Sequence, residues 1–173
     1  MGGFEAWFEV QAFLERGGDV LFAIMLATFL LWSLIIERYW YFYQHHKMIV
    51  KDALGAWESR TDHTSWYAHR IREQMISEVR TSATAGLGMI QTMVAVAPLL
   101  GLLGTVTGMI EVFDVMAATG SSNARAMASG VSKATIPTMA GMVAALSGVY
   151  FSAVLSRKAE NEVDKVADQL ELK

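Results

Sequence analysis

Long runs without a charged residue divide this chain into three apolar stretches. They are residues 20–36, 81–110 and 134–156, with lengths of 17, 30 and 23 residues. A bilayer core about 30 Å thick needs about 20 helical residues, so the second and third stretches are long enough to cross it and the first is slightly short. Aromatic residues follow the first stretch at once, as is typical of a membrane–water interface. The pattern predicts an all-α membrane protein with three transmembrane helices.

The alternative is a soluble protein with a buried helical hairpin. Hydrophobic residues make up 53% of the chain and charged residues 18%, against about 25% charged in soluble domains. Three such stretches leave too little polar surface to cover them. The first stretch is expected to be a retained span, because four acids and one base precede it and no small-residue cleavage site follows.

Basic residues are distributed unevenly around the stretches. Residues 37–80 contain seven Lys and Arg and residues 157–173 contain four, whereas residues 1–19 contain one and residues 111–133 contain two. The positive-inside rule places the basic segments in the cytoplasm. We therefore expect a periplasmic N-terminus, a periplasmic 111–133 segment and a cytoplasmic C-terminus.

The segments between the stretches have patterns of their own. Residues 1–19 read as a periplasmic amphipathic helix that ends in a Gly17–Gly18 hinge. Residues 37–80 form a cytoplasmic helical segment, in which a helix from about Ser65 is expected to run unbroken into the second span. Since 30 helical residues measure about 45 Å, the second and third helices should extend into the cytoplasm.

The two remaining segments are shorter. Residues 111–133 are predicted to be a periplasmic loop with a turn at residues 120–123. Residues 157–173 are predicted to be a cytoplasmic C-terminal helix that continues the third span. Its apolar residues recur at helical spacing and form one stripe, made of Ala159, Val163, Val166 and Leu170.

Small residues form one face of each of the last two spans. The second span has Gly101, Gly104, Thr105 and Gly108 on one face, and the third has Thr135, Thr138, Gly141, Ala145, Gly148 and Ser152. Small residues let helices approach closely in lipid. Packing within one chain and packing at an oligomer seam or pore wall both remain open for the glycine motif. Because a three-helix monomer is not expected to bury two such faces fully, the pair of faces favours a lumen or a second chain.

No Asp, Glu, His, Lys or Arg lies inside the three stretches. A proton relay needs a titratable group at membrane depth, so a partner would have to supply the acid. The polar groups left as candidates for a proton pathway or pore lining are Thr105, Thr138, Thr107, Thr135 and Gln91. The alternative role for the threonines is to satisfy carbonyls freed by Pro98 and Pro137.

Other chemistry is largely excluded. The chain has no cysteine, and its four histidines all lie in residues 37–80, so we expect no metal site and no cofactor. It also lacks the intramembrane acids of a membrane enzyme. A net charge of −3 argues against a nucleic-acid partner.

Two sequence strings resemble a known family. The strings A-P-L-L-G-L-L-G-T-V-T-G-M-I and G-V-S-K-A-T-I-P-T-M-A-G-M-V-A-A-L are similar to the MotA/TolQ/ExbB proton channel family. The resemblance is densest over residues 95–148 and strongest to the short ExbB members of a second type of TonB system. By this resemblance Thr105 and Thr138 match the pore threonines of the family. Lys133 stands at the pore mouth, where the family commonly has Glu.

The resemblance implies a function and a set of partners. Such proteins are homopentamers of the bacterial inner membrane that enclose the helices of ExbD, a one-span protein with an intramembrane Asp. The complex couples proton-motive force to TonB and so to transport across the outer membrane. A TolQ-like subunit of the Tol envelope system and a non-conducting membrane scaffold remain alternatives.

The arrangement expected from these patterns has the second and third spans around a lumen and the first span facing lipid. The packing residues Gly101, Gly104, Gly108, Gly141, Ala145 and Gly148 would then hold the helices, and the oligomer, together. We expect the lumen to be apolar and closed to ions when it is empty.

Overall fold

A computed structural model describes the backbone of residues 2–120 and 124–170, and the side chains of residues 18–118, 120, 127–128, 130–132 and 134–170. Four helices make up this part: α1 (Gly2–Glu58), α2 (Trp66–Thr84), α3 (Leu87–Thr119) and α4 (Ala124–Gln169). No β-strand occurs within it. Three helical segments are long and apolar enough to cross a membrane. The predicted all-α class with three spans is confirmed.

Helix α1 bends at the predicted hinge. Gly18 has φ 65° and ψ −168°, a conformation outside the helical region that L side chains rarely adopt. Residues 2–17 are helical before the bend. Their side chains lie outside the described residues, so the amphipathic face of this segment stays a prediction.

Helices α2 and α3 are separate, so the expected unbroken helix from Ser65 into the second span is wrong. Its start is correct, because the Ser65 hydroxyl caps α2 by accepting from the amides of Tyr67 and Ala68. The break comes at Gly86, whose φ of 73° is left-handed. A Cβ there would also lie 2.9 Å from Nε of Arg38. Glycine is therefore needed at this turn for its backbone angle, whereas the Arg38 side chain could move away from an added Cβ.

The predicted loop at residues 111–133 is mostly helical. Helix α3 continues to Thr119, where Gly120 with φ 62° follows, and α4 begins at Ala124. Glu111 ends the uncharged stretch, but residues 111–119 contain no Gly or Pro to stop a helix. Of the turn predicted at residues 120–123, only Gly120 is among the described residues, and it is not helical.

The chain forms two compact units. The first, called here the apolar unit, combines residues 1–32 and 92–149, and the second, the charged unit, combines residues 33–91 and 150–173. Apolar core residues are found in each. In the apolar unit they include Leu21, Ile24, Leu31, Ala97 and Ala144; in the charged unit they include Phe42, Trp57, Val79, Leu155 and Val166.

The C-terminal part of α4 is packed as its sequence predicts. All four residues of its apolar stripe are buried in the charged unit. The guanidinium of Arg72 donates to the carbonyls of Leu170, at 2.6 Å, and Ala167, at 2.7 Å. These carbonyls belong to the last turn of α4, where the helix itself offers no donors. Arg72 therefore fastens the end of α4 to α2.

Apolar side chains also cover the outward faces of the apolar unit. Each of its three helices exposes a row of large residues: Phe22, Leu26 and Phe29 on α1, Leu99, Leu102, Val106 and Ile110 on α3, and Met139, Val143 and Leu146 on α4. Rows of this length in water would be an association surface. On a chain with three spanning helices they suit contact with lipid or with other membrane helices.

Candidate functional site

The small faces of α3 and α4 meet along a seam in the apolar unit. A Cβ added at Gly101 would lie 3.0 Å from the carbonyl oxygen of Pro137, and one at Gly108 would lie 2.8 Å from Cβ of Ala134. At Gly141 an added Cβ would lie 2.6 Å from the carbonyl oxygen of Ala97. Real Cβ atoms essentially never come closer than 3.0 Å and rarely come that close, so the two backbones are in direct contact. We call this contact the glycine seam.

Pro137 and Gly104 form the middle of the glycine seam. The ring of Pro137 occupies the space where a Cβ of Gly104 would be, and Pro137 is fully buried. The sequence predicts only the loss of a backbone donor at Pro137, and this packing role is additional to that prediction. The available signal was its position beside Thr138 on the small face of the third span.

The seam changes the interpretation of the small residues. The expectation that a three-helix monomer cannot bury two small faces is wrong for the glycines, because those of α3 and α4 pack against other helices of the same chain. A lumen or a second chain stays a prediction, and Thr135, on the same face of α4, is exposed. Farther along, Ala145 is buried beside Ala97 and Ala144, and Gly148 packs against Val94 and Leu31. An oligomer role for these residues stays a prediction, and the exposed apolar rows are the surfaces open to another chain.

Two of the predicted threonines are brought together at the seam. The Thr138 hydroxyl donates to the carbonyl of Gly101 at 2.9 Å, from α4 to α3. Gly101 lies one turn before Thr105, whose hydroxyl donates to the carbonyl of Leu102 at 2.7 Å. Both side chains are half-buried. Each hydroxyl proton is engaged with a backbone carbonyl, while the lone pairs of the oxygen are left to accept another hydrogen bond.

The other candidates lie elsewhere. Thr107 donates to the carbonyls of Leu103 and Gly104, both at 3.1 Å. It is two residues from Thr105, so about 200° around the helix. Thr135 is exposed and donates to the carbonyl of Ser132 at 2.8 Å, and Gln91 is exposed in the charged unit. A pore-lining role for these three stays a prediction, as does that of Lys133, whose side chain lies outside the described residues.

The two seam threonines do not repair the proline positions. A proline in a helix removes the amide that would bond the carbonyl four residues earlier, so Pro98 frees the carbonyl of Val94 and Pro137 frees that of residue 133. Thr105 and Thr138 donate to other carbonyls. The alternative role suggested by the sequence therefore does not apply to either threonine.

A buried histidine lies in the charged unit, outside the membrane-spanning stretches. His46 follows the end of the first uncharged stretch by ten residues and is 2% exposed. Its Nε2 is 3.7 Å from Oε2 of Glu162, and neither ring nitrogen has a hydrogen-bond partner. Burial lowers the pKa of His46, and the charge of Glu162 opposes that shift. A hydrogen bond from Lys165 lowers the pKa of Glu162.

Metal-binding geometry is missing from the part of the chain that the structure describes. No three His, Cys, Asp or Glu side chains there are grouped so that they could hold an ion. His63 instead contacts the carbonyl of Trp57 at 3.1 Å. The groups that could form a functional site in the described residues are therefore the seam hydroxyls, the backbone contacts of the seam and one buried histidine.

Comparison with known proteins places these features in a family. The model of the MotA/TolQ/ExbB proton channel family matches residues 43–168, a range that contains the whole glycine seam. The putative biopolymer transport protein ExbB-like 1 of Synechocystis is 29% identical over 91% of this chain and 76% of its own length. The exbB1 biopolymer transport protein of Vibrio cholerae is 32% identical over 74% of this chain.

A third relative is matched over a smaller part of this chain. The putative ExbB-like 1 protein of Helicobacter pylori strain J99 is 33% identical over 58% of this chain. The alignments span about half the length of the Helicobacter and Vibrio proteins, 53% and 49%. With its three spanning helices and this match over most of its length, the chain belongs to the MotA/TolQ/ExbB proton channel family.

Proposed function

We propose that this chain is an ExbB-like subunit of a proton-driven complex in the bacterial inner membrane. With an ExbD-like one-span protein it couples proton-motive force to a TonB-like protein and so to transport across the outer membrane. The family match and the three relatives named as biopolymer transport proteins support this assignment. The proposal includes a homo-oligomer, as a pentamer, that surrounds the helix of the partner.

The observation that carries the proposal is the hydrogen bond from Thr138 across the glycine seam to the carbonyl of Gly101, one turn before Thr105, in spans without any titratable side chain. A carboxyl group from a partner helix would be the proton carrier, and the two hydroxyls would be its neighbours. A fixed charge at this level would hold the acid in one protonation state. Neutral hydroxyls serve both states, since each can donate and accept.

The hydrogen bonds of the two threonines suggest an order of events. With both hydroxyl protons on backbone carbonyls, a protonated carboxyl can donate to a free lone pair without any rearrangement. An ionised carboxylate would require a hydroxyl to turn from its carbonyl, at a net cost of about 1 kcal/mol. One proton crossing supplies about 2.3 kcal/mol per 100 mV, so this switch is small enough not to stall a cycle.

The test replaces hydroxyls while keeping side-chain shape. In cells that depend on this chain for growth on an iron–siderophore, Thr105→Val and Thr138→Val should each abolish uptake. Native mass spectrometry should show the assembly intact. The matched control is Thr28→Val, because the Thr28 hydroxyl also donates to a helix carbonyl, that of Ile24 at 2.7 Å, but lies on α1. Thr→Ser at either seam position should retain activity.

The outcomes separate the competing functions. Full uptake with Val at both seam positions would remove the support for a proton role of these hydroxyls. Loss of assembly together with uptake would assign them to stability alone. If the chain restores envelope constriction and not siderophore uptake, it is the TolQ-like subunit.

A further inference from the structure

The buried histidine of the charged unit has no part in the proposed proton pathway. His46 lies on α1, and its side chain is 2% exposed. Both of its ring nitrogens are buried, and neither has a hydrogen-bond partner among the described residues. The rings of Tyr41 and Phe42 lie beside it, with their centres 6.2 Å and 5.5 Å from its own. These surroundings suit an uncharged imidazole, because a buried charge needs partners.

Helix α4 carries the charges that act on the His46 ring. Oε2 of Glu162 is 3.7 Å from Nε2 of His46, which is too far for a hydrogen bond, and the other carboxylate oxygen accepts from Lys165 at 2.7 Å. The positive charge of Lys158 opposes a proton on the ring, and its ammonium lies 5.3 Å from the ring centre of Phe42. Within the described residues no charge of α2 acts on the ring. A proton on His46 would therefore have no hydrogen-bonded partner in this packing.

A cavity of about 460 Å³ adjoins the buried ring, and both His46 and Glu162 belong to its lining. Lys47, Lys51 and Glu58 also line it, so its wall carries charges of both signs. Polar walls of this kind hold water, and an imidazolium that turned toward the cavity would be hydrated there. The same movement would take the ring away from its aromatic neighbours and from α4.

We propose that His46 makes the contact between α1 and α4 sensitive to acid: protonation of its ring opens this contact, and acidification of the cytoplasm thereby stops transport. The packed form accepts only the neutral ring, so each proton bound favours the open form. Burial lowers the pKa of His46 below its ordinary value of 6.5, so the contact is intact at neutral pH and opens only under an acid load. The effect on transport rests on the proposed function, in which protons flow into the cytoplasm and a histidine there would respond to their accumulation.

Hydrogen exchange of the full-length protein in mixed micelles tests the opening. The matched variant is His46→Phe, which keeps a buried ring and cannot be protonated; if it does not fold, His46→Gln, which is neutral at every pH, takes its place. At each pH the exchange rates of residues 42–50 and 158–166 are divided by the rates in the variant, so that the intrinsic pH dependence of exchange cancels. The ratio should be constant above about pH 7 and rise by up to about tenfold per pH unit below about pH 6.5. A ratio that stays constant from pH 7.5 to pH 5 overturns the proposal.

Two charged neighbours should move the lower limit of this response in opposite directions. Lys158→Met removes a like charge, so the pKa of His46 in the packed form should rise and the ratio should level off at a higher pH. Glu162→Gln removes an opposite charge, so the ratio should continue to rise to a lower pH. Shifts in the same direction, or no shift in either variant, would show that another group carries the response and would overturn the assignment to His46.

Transport is then measured in cells whose cytoplasmic pH is set with a permeant weak acid. Between pH 7.5 and pH 5.5, siderophore uptake should fall several-fold more with the parent chain than with His46→Phe. An equal fall in both chains overturns the regulatory role and leaves the proton function standing. If the parent chain supports no uptake at any pH, the proposed function fails, while hydrogen exchange still decides whether His46 controls the contact between α1 and α4.

Discussion

Adding one methyl group to the glycine seam should separate two helices. In Gly141→Ala the new Cβ would lie 2.6 Å from the carbonyl oxygen of Ala97 and 3.2 Å from Cα of Gly101. Carbon–oxygen contacts are favourable at about 3.3–3.6 Å, so the helices must move apart by about 0.7–1 Å. The obstructing atoms are backbone atoms, and no side-chain rotation can relieve the contact.

The same movement breaks a hydrogen bond. The Thr138 hydroxyl is 2.9 Å from the carbonyl of Gly101, and an added 0.7–1 Å takes it beyond the range of about 2.5–3.0 Å for such bonds. Overpacking costs about 1–3 kcal/mol and the lost hydrogen bond about 1 kcal/mol, while Ala in a helix returns about 1 kcal/mol. The expected net loss is about 1–3 kcal/mol in the free energy of unfolding.

The assay is unfolding of the purified protein in mixed micelles, followed by circular dichroism. Gly88→Ala is the matched control, since a Cβ at Gly88 meets no atom within 4 Å. It should be neutral or stabilising by up to about 1 kcal/mol. If Gly141→Ala and Gly88→Ala unfold at the same point, the two backbones are not in contact and the glycine seam is not the packing core of the apolar unit.

Two further predictions concern the charged unit. Arg72→Met removes both donors to the last turn of α4 and should lower the free energy of unfolding by about 1–3 kcal/mol. Hydrogen exchange at the amides of Val166 and Leu170 should speed up. Unchanged exchange would contradict the role of Arg72 as a cap of α4. Because burial lowers the pKa of His46, its neutral form is favoured in the folded state, so stability should fall as pH drops from 7 through the unfolded pKa of about 6.5. His46→Gln should flatten this slope, measured by thermal unfolding at each pH, and an unchanged slope would contradict the burial of this ring as its cause.

The positions of the spans were predictable because charge is costly in a bilayer, so its absence marks membrane depth. Helix ends were less predictable, because a charged residue marks the limit of an apolar stretch and not the end of a helix. Glu111 ends an uncharged stretch without ending α3, since a charged residue does not by itself stop a helix. The break at Gly86 was missed because glycine is common inside membrane helices, so its presence alone does not indicate a left-handed φ.

The sequence predicts which residues belong to the candidate site, but it does not predict which of them contact one another. Gly101 and Gly141 indicate that another backbone approaches closely, because small residues allow a short distance between two helices. Their type does not say whether that backbone belongs to the same chain. The hydrogen bond from Thr138 to Gly101 joins positions 37 residues apart, and no local pattern specifies such a contact.

The glycine seam also has a genetic consequence. Every missense change at a glycine codon adds at least a Cβ, and most add a larger side chain. At Gly101, Gly104, Gly108 and Gly141 no substitution is therefore small, and a saturation library should be depleted at all four codons. Gly55 and Gly88, where a Cβ meets no atom within 4 Å, should accept alanine in the same library. A survey of tolerated codons would thus trace the line along which the two helices touch.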